Sequence, residues 1–230
     1  MRYLSFGAGV QTTAILFLYP KIQFEEVIFA DTGAELPETY EYIDRYIKPF
    51  IEENGLKFTV VRGNEKGITN LEDYCLYYRI MPSVRVRWCT SKYKLKPIFK
   101  YLESKKERPI TAILGISYEE RHRVIKSPYD WHIPEYPLVS MKMTRDDCKK
   151  VIVRKGYAIP PRSGCYFCPF QTIDEWKDLY IRHPKLYERA IKLEENGQKF
   201  NEFKLMPIGI SLREFRDQLL SNNGDKNENS

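Results

Sequence analysis

The chain has 230 residues, 43% of them hydrophobic and 30% charged, with a formal net charge of +6. That length suits one large domain, or a domain with an appendage, in a soluble globular protein. No apolar run approaches a membrane span, and Gly7 and Gly9 interrupt the place where a secretory leader would need a continuous apolar core, so the cytoplasm is the expected location and no membrane partner is expected.

In chain order, "RYLSF" reads as a strand and "QTTAILFLY" as a helix ending near Pro20. Between them runs "SFGAGVQTT", residues 5–13. Glycine lets a backbone turn tightly and removes the side chain that would hold a ligand off. A helix beginning at Gln11 or Thr12 would aim free N–H groups and the positive end of its dipole at the loop, and the hydroxyls of Ser5, Thr12 and Thr13 add donors. Such a loop suits an anion; an ordinary strand-to-helix turn is the plainer alternative. The loop is neither GxxxxGK[ST] nor GxGxxG. Next, "EEVIFA" reads as a strand followed at once by "DTG", and "PETYEYIDRYIKPFIEENG" as a helix with Pro37 in its first turn and Gly55 as its stop. Strand "KFTVVRG", a helix around Pro97 in "SKYKLKPIFKYLESKK" and strand "ITAILGI" follow. This alternation predicts an α/β fold with a mostly parallel, doubly wound sheet. Ligands of such sheets sit at the carboxyl ends of the strands. Three polar, glycine-bearing turns fall there, at 5–9, 31–33 and 115–120.

From about residue 141 the pattern changes. "TRDDCKKVIVRKG" reads as a helix with Thr144 as N-cap, "YAIPPRSGCYFCPFQ" as a loop and "TIDEWKDLYIRHPKLYERAIKLEENG" as a helical tail. The expected organisation is a nucleotide-binding α/β domain over 1–140, a helical, cysteine-bearing C-terminal appendage over 141–220, and a polar, disordered tail over 221–230.

Asp31 directly follows a strand, so its carboxylate should face the ligand crevice. Glu35 and Glu38 come next. Acids beside a phosphate loop suit a bridging Mg²⁺, or contacts to ribose or base. A dipole-favoured acidic helix start explains the two glutamates but not the Asp-Thr-Gly turn. Charge is concentrated at 79–108, which carries ten Lys and Arg against two Glu, a net +8. That points to phosphate-bearing partners, with a solvated lysine face as the alternative.

Five cysteines, two of them spaced CxxC, favour metal or redox chemistry over a disulfide framework. Cys165 and Cys168 form the CxxC; Cys89 lies in the basic segment, which should lower its pKa; Cys148 lies on the helix before the loop. These four are the expected ligands of one Zn²⁺ or one Fe–S cluster. Cys75, among aromatics in "LEDYCLYY", reads as core filling. His122, His132 and His183 show no metal spacing. Tyr40, Tyr42 and Tyr46 share one helix and read mainly as packing.

Taken in order, "SFGAGVQTT", "DTGAELPET", "RWCTSKYKLKPI", "GISYEERHR" and "SGCYFCPF" resemble the phosphoadenosine phosphosulfate (PAPS) reductase family over roughly residues 2–170. That family belongs to the PP-loop ATP pyrophosphatases, with an adenine nucleotide alpha-hydrolase fold. The resemblance implies that Ser5, Phe6, Gly7, Ala8, Gly9, Gln11, Thr12 and Thr13 cradle phosphates. It implies that Asp31, Thr32 and Gly33 line the adenosine site, and that Gly115, Ile116 and Glu120, with Arg121 or Arg123, form a further nucleotide turn. Arg87 and Lys92 would flank the nucleotide or its acceptor, and Asp31, Arg87, Lys92 and Glu120 would take part in the chemistry. The implied cofactors are ATP, Mg²⁺ and a [4Fe–4S] cluster, with Zn²⁺ as the alternative metal. The implied activity is adenylation of an acceptor for sulfur transfer or a related modification. Nucleic acid, DNA or tRNA, is the further partner admitted, as is a homodimer. Two rivals stand beside it: reduction of a sulfonucleotide, against which counts the absence of a cysteine after Cys168, and a non-catalytic nucleotide- or nucleic-acid-binding module with a structural zinc. The loop also departs from the common SGGxDS: it is longer, and Gln11 stands near the usual Asp.

Overall fold

The computed structural model describes residues 1–198 and 204–224. Its elements in chain order are β1 (Arg2–Phe6), α1 (Val10–Phe17), β2 (Glu26–Asp31), α2 (Pro37–Tyr42), α3 (Lys48–Glu53), β3 (Lys57–Arg62), α4 (Leu71–Tyr78), α5 (Trp88–Thr90), α6 (Lys96–Glu103), β4 (Ile110–Ile113), β5 (His132–Glu135), α7 (Pro137–Ser140), α8 (Arg145–Arg154), α9 (Ile173–Arg182), α10 (Pro184–Gln198) and α11 (Leu212–Gly224). Of the expected tail at 221–230, residues 225–230 lie outside the described residues.

The chain divides into two compact units. The first holds Met1–Asp31, Glu35–Gly63 and Tyr93–Ser163. Its sheet is entirely parallel, in the order β3-β2-β1-β4-β5. Successive residues of a strand point to opposite faces, and both faces are covered. Leu4, Phe6, Val27 and Phe29 join a core completed by α1, the α2–α3 stretch and α8. Tyr3, Ile28 and Ala30 join a second core completed by Ile98 and Leu102 of α6. β2 is buried at all six positions, which is why it reads as an unbroken apolar run. This is the doubly wound α/β sheet expected, with one strand more. β5 is an edge strand, and its Pro134, paired with Ala112, is tolerated because an edge leaves one side of the ladder open.

Two π-turns have a common cause. Ile43–Ile47 leads into α3, and Ser91–Leu95 leads into α6. Each of those helices carries a proline in its first turn, Pro49 and Pro97. Proline removes one helical donor and crowds the preceding turn, and a wider turn absorbs both defects without ending the helix.

The second unit holds Thr32–Ala34, Asn64–Lys92 and Gly164–Ser230. Within it α10 packs on α4, α9 and α11. Trp176, Tyr187, Phe167 and Leu71 are wholly buried there. The Glu194 carboxylate, buried on α10, accepts from the N–H groups of Leu205 (2.7 Å) and Leu212 (2.8 Å) and so fixes the start of α11. α4 lies where no helix was anticipated. Asn70 caps it, its side chain accepting from the Glu72 N–H at 2.8 Å.

Candidate functional site

In the first unit the strand order reverses between β1 and β4. The crevice of a doubly wound sheet opens at such a reversal, at the carboxyl ends of the two strands. The loop after β1 and the loop after β4 meet there over the N-terminus of α1. Their approach depends on two missing side chains. A Cβ on Gly115 would stand 2.6 Å from Thr12 Cγ2, and one on Gly9 would stand 2.8 Å from Ser163 Oγ. The left-handed backbone of the loop falls on Ala8, at φ 56°, rather than on either glycine. Gly9 is the N-cap of α1 and no side chain caps this end. The first N–H groups of a helix have no acceptor inside it.

Gln11 links the loop to its surroundings. Its amide donates to Glu120 Oε2 at 3.1 Å and its carbonyl accepts from Arg145 Nη1 at 3.0 Å. Glu120 also accepts from Ser117 Oγ at 3.3 Å and pairs with Arg123. The Arg145 N–H donates to Glu119 Oε1 at 2.7 Å, which ties the start of α8 to the turn after β4. Thr12 Oγ1 donates to the Gly9 carbonyl at 3.2 Å and accepts from the Gly7 N–H at 3.3 Å. Thr13, expected to offer its hydroxyl to the loop, is instead fully buried on α1, and that hydroxyl makes no hydrogen bond among the described residues.

At the end of β2, Asp31 accepts from Arg62 Nε (3.0 Å), Arg62 Nη2 (2.8 Å) and the Tyr40 hydroxyl (2.7 Å). The parallel register sets Asp31 opposite Arg62. Tyr40 therefore does more than pack. Burial and the neighbouring Asp31 raise its pKa, so it stays a donor. Glu35 is buried and pairs with Lys94 at 3.4 Å.

In the second unit, Thr32 Oγ1 lies 3.5 Å from Cys165 Sγ. The Tyr166 N–H donates to the Ala34 carbonyl at 3.0 Å, and the Leu71 N–H to the Thr32 carbonyl at 2.9 Å. Thr32–Ala34, α4 and the CxxC loop thus share one neighbourhood. Gly33, at φ 71°, has a left-handed backbone, and a Cβ there would stand 2.9 Å from the Asn70 amide. Lys92 donates to the Tyr74 hydroxyl at 2.6 Å, and the Arg87 guanidinium lies over the Phe170 ring at 5.1 Å.

Of the expected cysteine ligands, Cys89, Cys165 and Cys168 belong to the second unit and Cys148 to the first. Among the described residues no group of three or more His, Cys, Asp or Glu stands as a metal ion would need. Cys148 is wholly buried in the apolar core of the first unit, where burial above all pushes its thiol up to about 12. Cys75 is buried in the second unit. Burial pushes its thiol well above the ordinary range, and Cys165 and Cys89, near enough for their charge to be felt, push it the same way.

The sequence pattern marks Tyr40 only as packing, and it does not single out Arg62, Arg145 or Ser163. Only the alternation that sets the ends of β2 and β3 side by side could have pointed to Arg62.

The parallel sheet, reversing between β1 and β4, is a doubly wound α/β fold, and with the family match that follows it fits the PP-loop, adenine nucleotide alpha-hydrolase-like superfamily. Residues 2–129 match the phosphoadenosine phosphosulfate reductase domain, and the chain belongs to that family. It is similar to two uncharacterized proteins of Methanocaldococcus jannaschii. One is 26% identical over 207 residues, covering 81% of this chain and 46% of the relative. The other is 26% identical over 217 residues, covering 87% of this chain and 42% of the relative. The chain thus spans less than half the length of either. Its fold is similar to that of a crystal structure of PAPS reductase from Candida auris in a phosphate complex, with a TM-score of 0.53 at 14% identity over 71% of this chain and 80% of that one. No helix among the described residues is long and apolar enough to cross a membrane.

Proposed function

We propose that this chain is an enzyme that binds ATP, with the phosphates at the loop 5–13, and activates an acceptor by adenylation. The observation that carries this reading is the cradle at the strand reversal, where Gly9 and Gly115 keep side chains out of the space above the N-terminus of α1. Unpaired amides and the helix dipole there favour a polyphosphate.

In the reaction, an acceptor nucleophile would attack the α-phosphorus. The bond to the bridging oxygen would break, pyrophosphate would leave, and the acceptor's proton would pass to solvent. The amides of the loop and the cations near it would stabilise the charge that builds on the phosphates. Gln11, held between Arg145 and Glu120, would orient the loop. Asp31 and Glu120 each already meet an arginine, so they do not by themselves make a cation site. Mg²⁺ takes many of its ligands from substrate phosphates and water; it would arrive with the nucleotide and neutralise part of its charge.

The test is calorimetric titration with ATP and Mg²⁺. Gly9→Asp sets a carboxylate against the phosphates and should weaken binding by about tenfold or more, with circular dichroism unchanged. Equal binding by both proteins, or binding by neither, overturns the assignment.

A second reading concerns the thiols. Cys75 shares the neighbourhood of Cys89 and Cys165 in the second unit, and Cys168 follows Cys165 in a turn closed by a 3.0 Å hydrogen bond. These four soft donors do not stand at metal spacing as they are, so Zn²⁺ or an Fe–S cluster would have to draw them together within the unit. Cys75 then takes the place expected of Cys148. No step of the adenylation depends on that centre.

A further inference from the structure

The second unit carries a surface that the nucleotide site does not use. Between residues 76 and 92 there are four cations, Arg79, Arg85, Arg87 and Lys92, and no acid. The same stretch exposes apolar groups that a solvated basic face would not: Tyr77 is 72% exposed and Val86 60%, and Phe170 of the CxxC loop is 52% exposed. The rings are linked. Tyr77 stands 4.8 Å from Tyr78, Tyr78 stands 4.5 Å from Tyr74, and Tyr74 stands 5.4 Å from Trp88. Cations lie over three of the aromatic faces, Arg87 over Phe170 at 5.1 Å, Lys66 over Tyr78 at 5.8 Å and Lys92 over Tyr74 at 4.9 Å. The basic segment 79–108 is divided between the two units after Lys92. From Tyr93 onward it belongs to the first unit, where α6 buries Ile98 and Leu102.

Exposed aromatic faces interleaved with arginine suit a ligand that offers flat rings and phosphates at short, regular intervals. Single-stranded nucleic acid does this: bases stack on the rings while the guanidiniums follow the backbone. A duplex hides its base faces, and an acidic peptide has charge but no ring to stack. We propose that this surface, centred on Tyr77, Phe170, Arg85 and Arg87, binds single-stranded nucleic acid. The strand is the acceptor if the adenylation reading holds; the binding itself rests only on the surface.

The experiment is fluorescence anisotropy without nucleotide, using labelled twenty-residue oligo-uridine and oligo-thymidine. The comparisons are a duplex of equal length, polyglutamate, and vesicles of phosphatidylserine and phosphatidylcholine, each over a range of salt. Single strands should bind, more tightly than the duplex, with an affinity that falls as salt rises. Tyr77→Ala should weaken binding roughly five- to a hundredfold at every salt concentration, as loss of one stacked base does, and Tyr77→Phe should keep it. Arg85→Glu should instead reduce the slope of affinity against salt. Both positions are exposed, so the fold should survive, checked by circular dichroism. Failure of the oligonucleotides to bind, equal binding of polyglutamate, binding of the vesicles alone, or indifference to Tyr77→Ala overturns the proposal. Gly9→Asp protein that loses ATP but keeps the strand separates this proposal from the nucleotide reading.

Discussion

Cys148 and Cys165 are both buried, but in different surroundings. Cys148 on α8 is enclosed by the apolar side chains of the first unit's core, and burial holds it protonated, its thiol up at about 12. Cys165 faces the Thr32 hydroxyl at 3.5 Å and lies in the same unit as Cys75. Protein purified without oxygen should therefore contain iron or zinc, measured by elemental analysis. Cys165→Ser and Cys75→Ser should each lose it, and Cys148→Ala should keep it. Metal lost with Cys148→Ala but kept with Cys75→Ser, or no metal in any preparation, would remove the thiol reading. The CxxC spacing made two of these thiols visible in the sequence, because a short loop forces its own residues together. The others depend on which helix faces which loop, and nothing local to "DDCKK" or "DYCLYY" carries that. Asp31 is a similar case. Its place after a strand was legible, but its pairing with Arg62 exists only through the register of β2 and β3.

At the scale of elements, α8 shows how a local signal becomes a pH-dependent one. Thr144 and Asp147 form a complete capping box: the Thr144 hydroxyl accepts from the Asp147 N–H at 3.2 Å, and the Asp147 carboxylate accepts from the Thr144 N–H at 3.1 Å. Hydrogen bonds from Thr144, with help from Lys150, hold the Asp147 carboxyl down at about 2. A carboxyl lowered on folding stabilises above its unfolded pKa, and that contribution is lost as pH falls through the folded one. Asp147→Asn keeps an acceptor but not the charge. Its deficit in urea denaturation against wild type should be present at pH 7, begin to shrink near pH 4 and close towards pH 2. A gap of equal size at pH 7 and pH 2 would show that the charge does not matter. The cap was readable in "TRDD" because all its parts lie within four residues. The Asn70 cap of α4 was present too, but the aromatic run after it lacks a clear helical stripe. β5 has four residues and a proline, and only pairing with β4 makes it a strand.

Over the whole molecule, a single division near residue 140 is what composition suggests, yet the compact units are discontinuous, with the chain passing between them at 31/32, 34/35, 63/64, 92/93 and 163/164. The second unit must therefore gather segments far apart in sequence, and one contact shows how. Glu72 on α4 is buried, its side chain 7% exposed, and it is met by both Nε and Nη2 of Arg189 on α10, 117 residues later. A charge held in that way depends on its partner more than the fold depends on the pair. Arg189→Met should strand the Glu72 carboxylate and cost about 2–3 kcal/mol, below the roughly 3–5 kcal/mol of a fully buried broken pair, because the Arg189 side chain is 53% exposed and water can take part of its role. Glu72→Gln in the same chain removes the stranded charge, so the double variant should be more stable than Arg189→Met alone. Urea denaturation of the three proteins decides it. If the double variant is no more stable than Arg189→Met, the cost lies in the packing of the arginine stem over Tyr166, whose ring the guanidinium approaches at 5.7 Å, and not in the charge that joins α4 to α10.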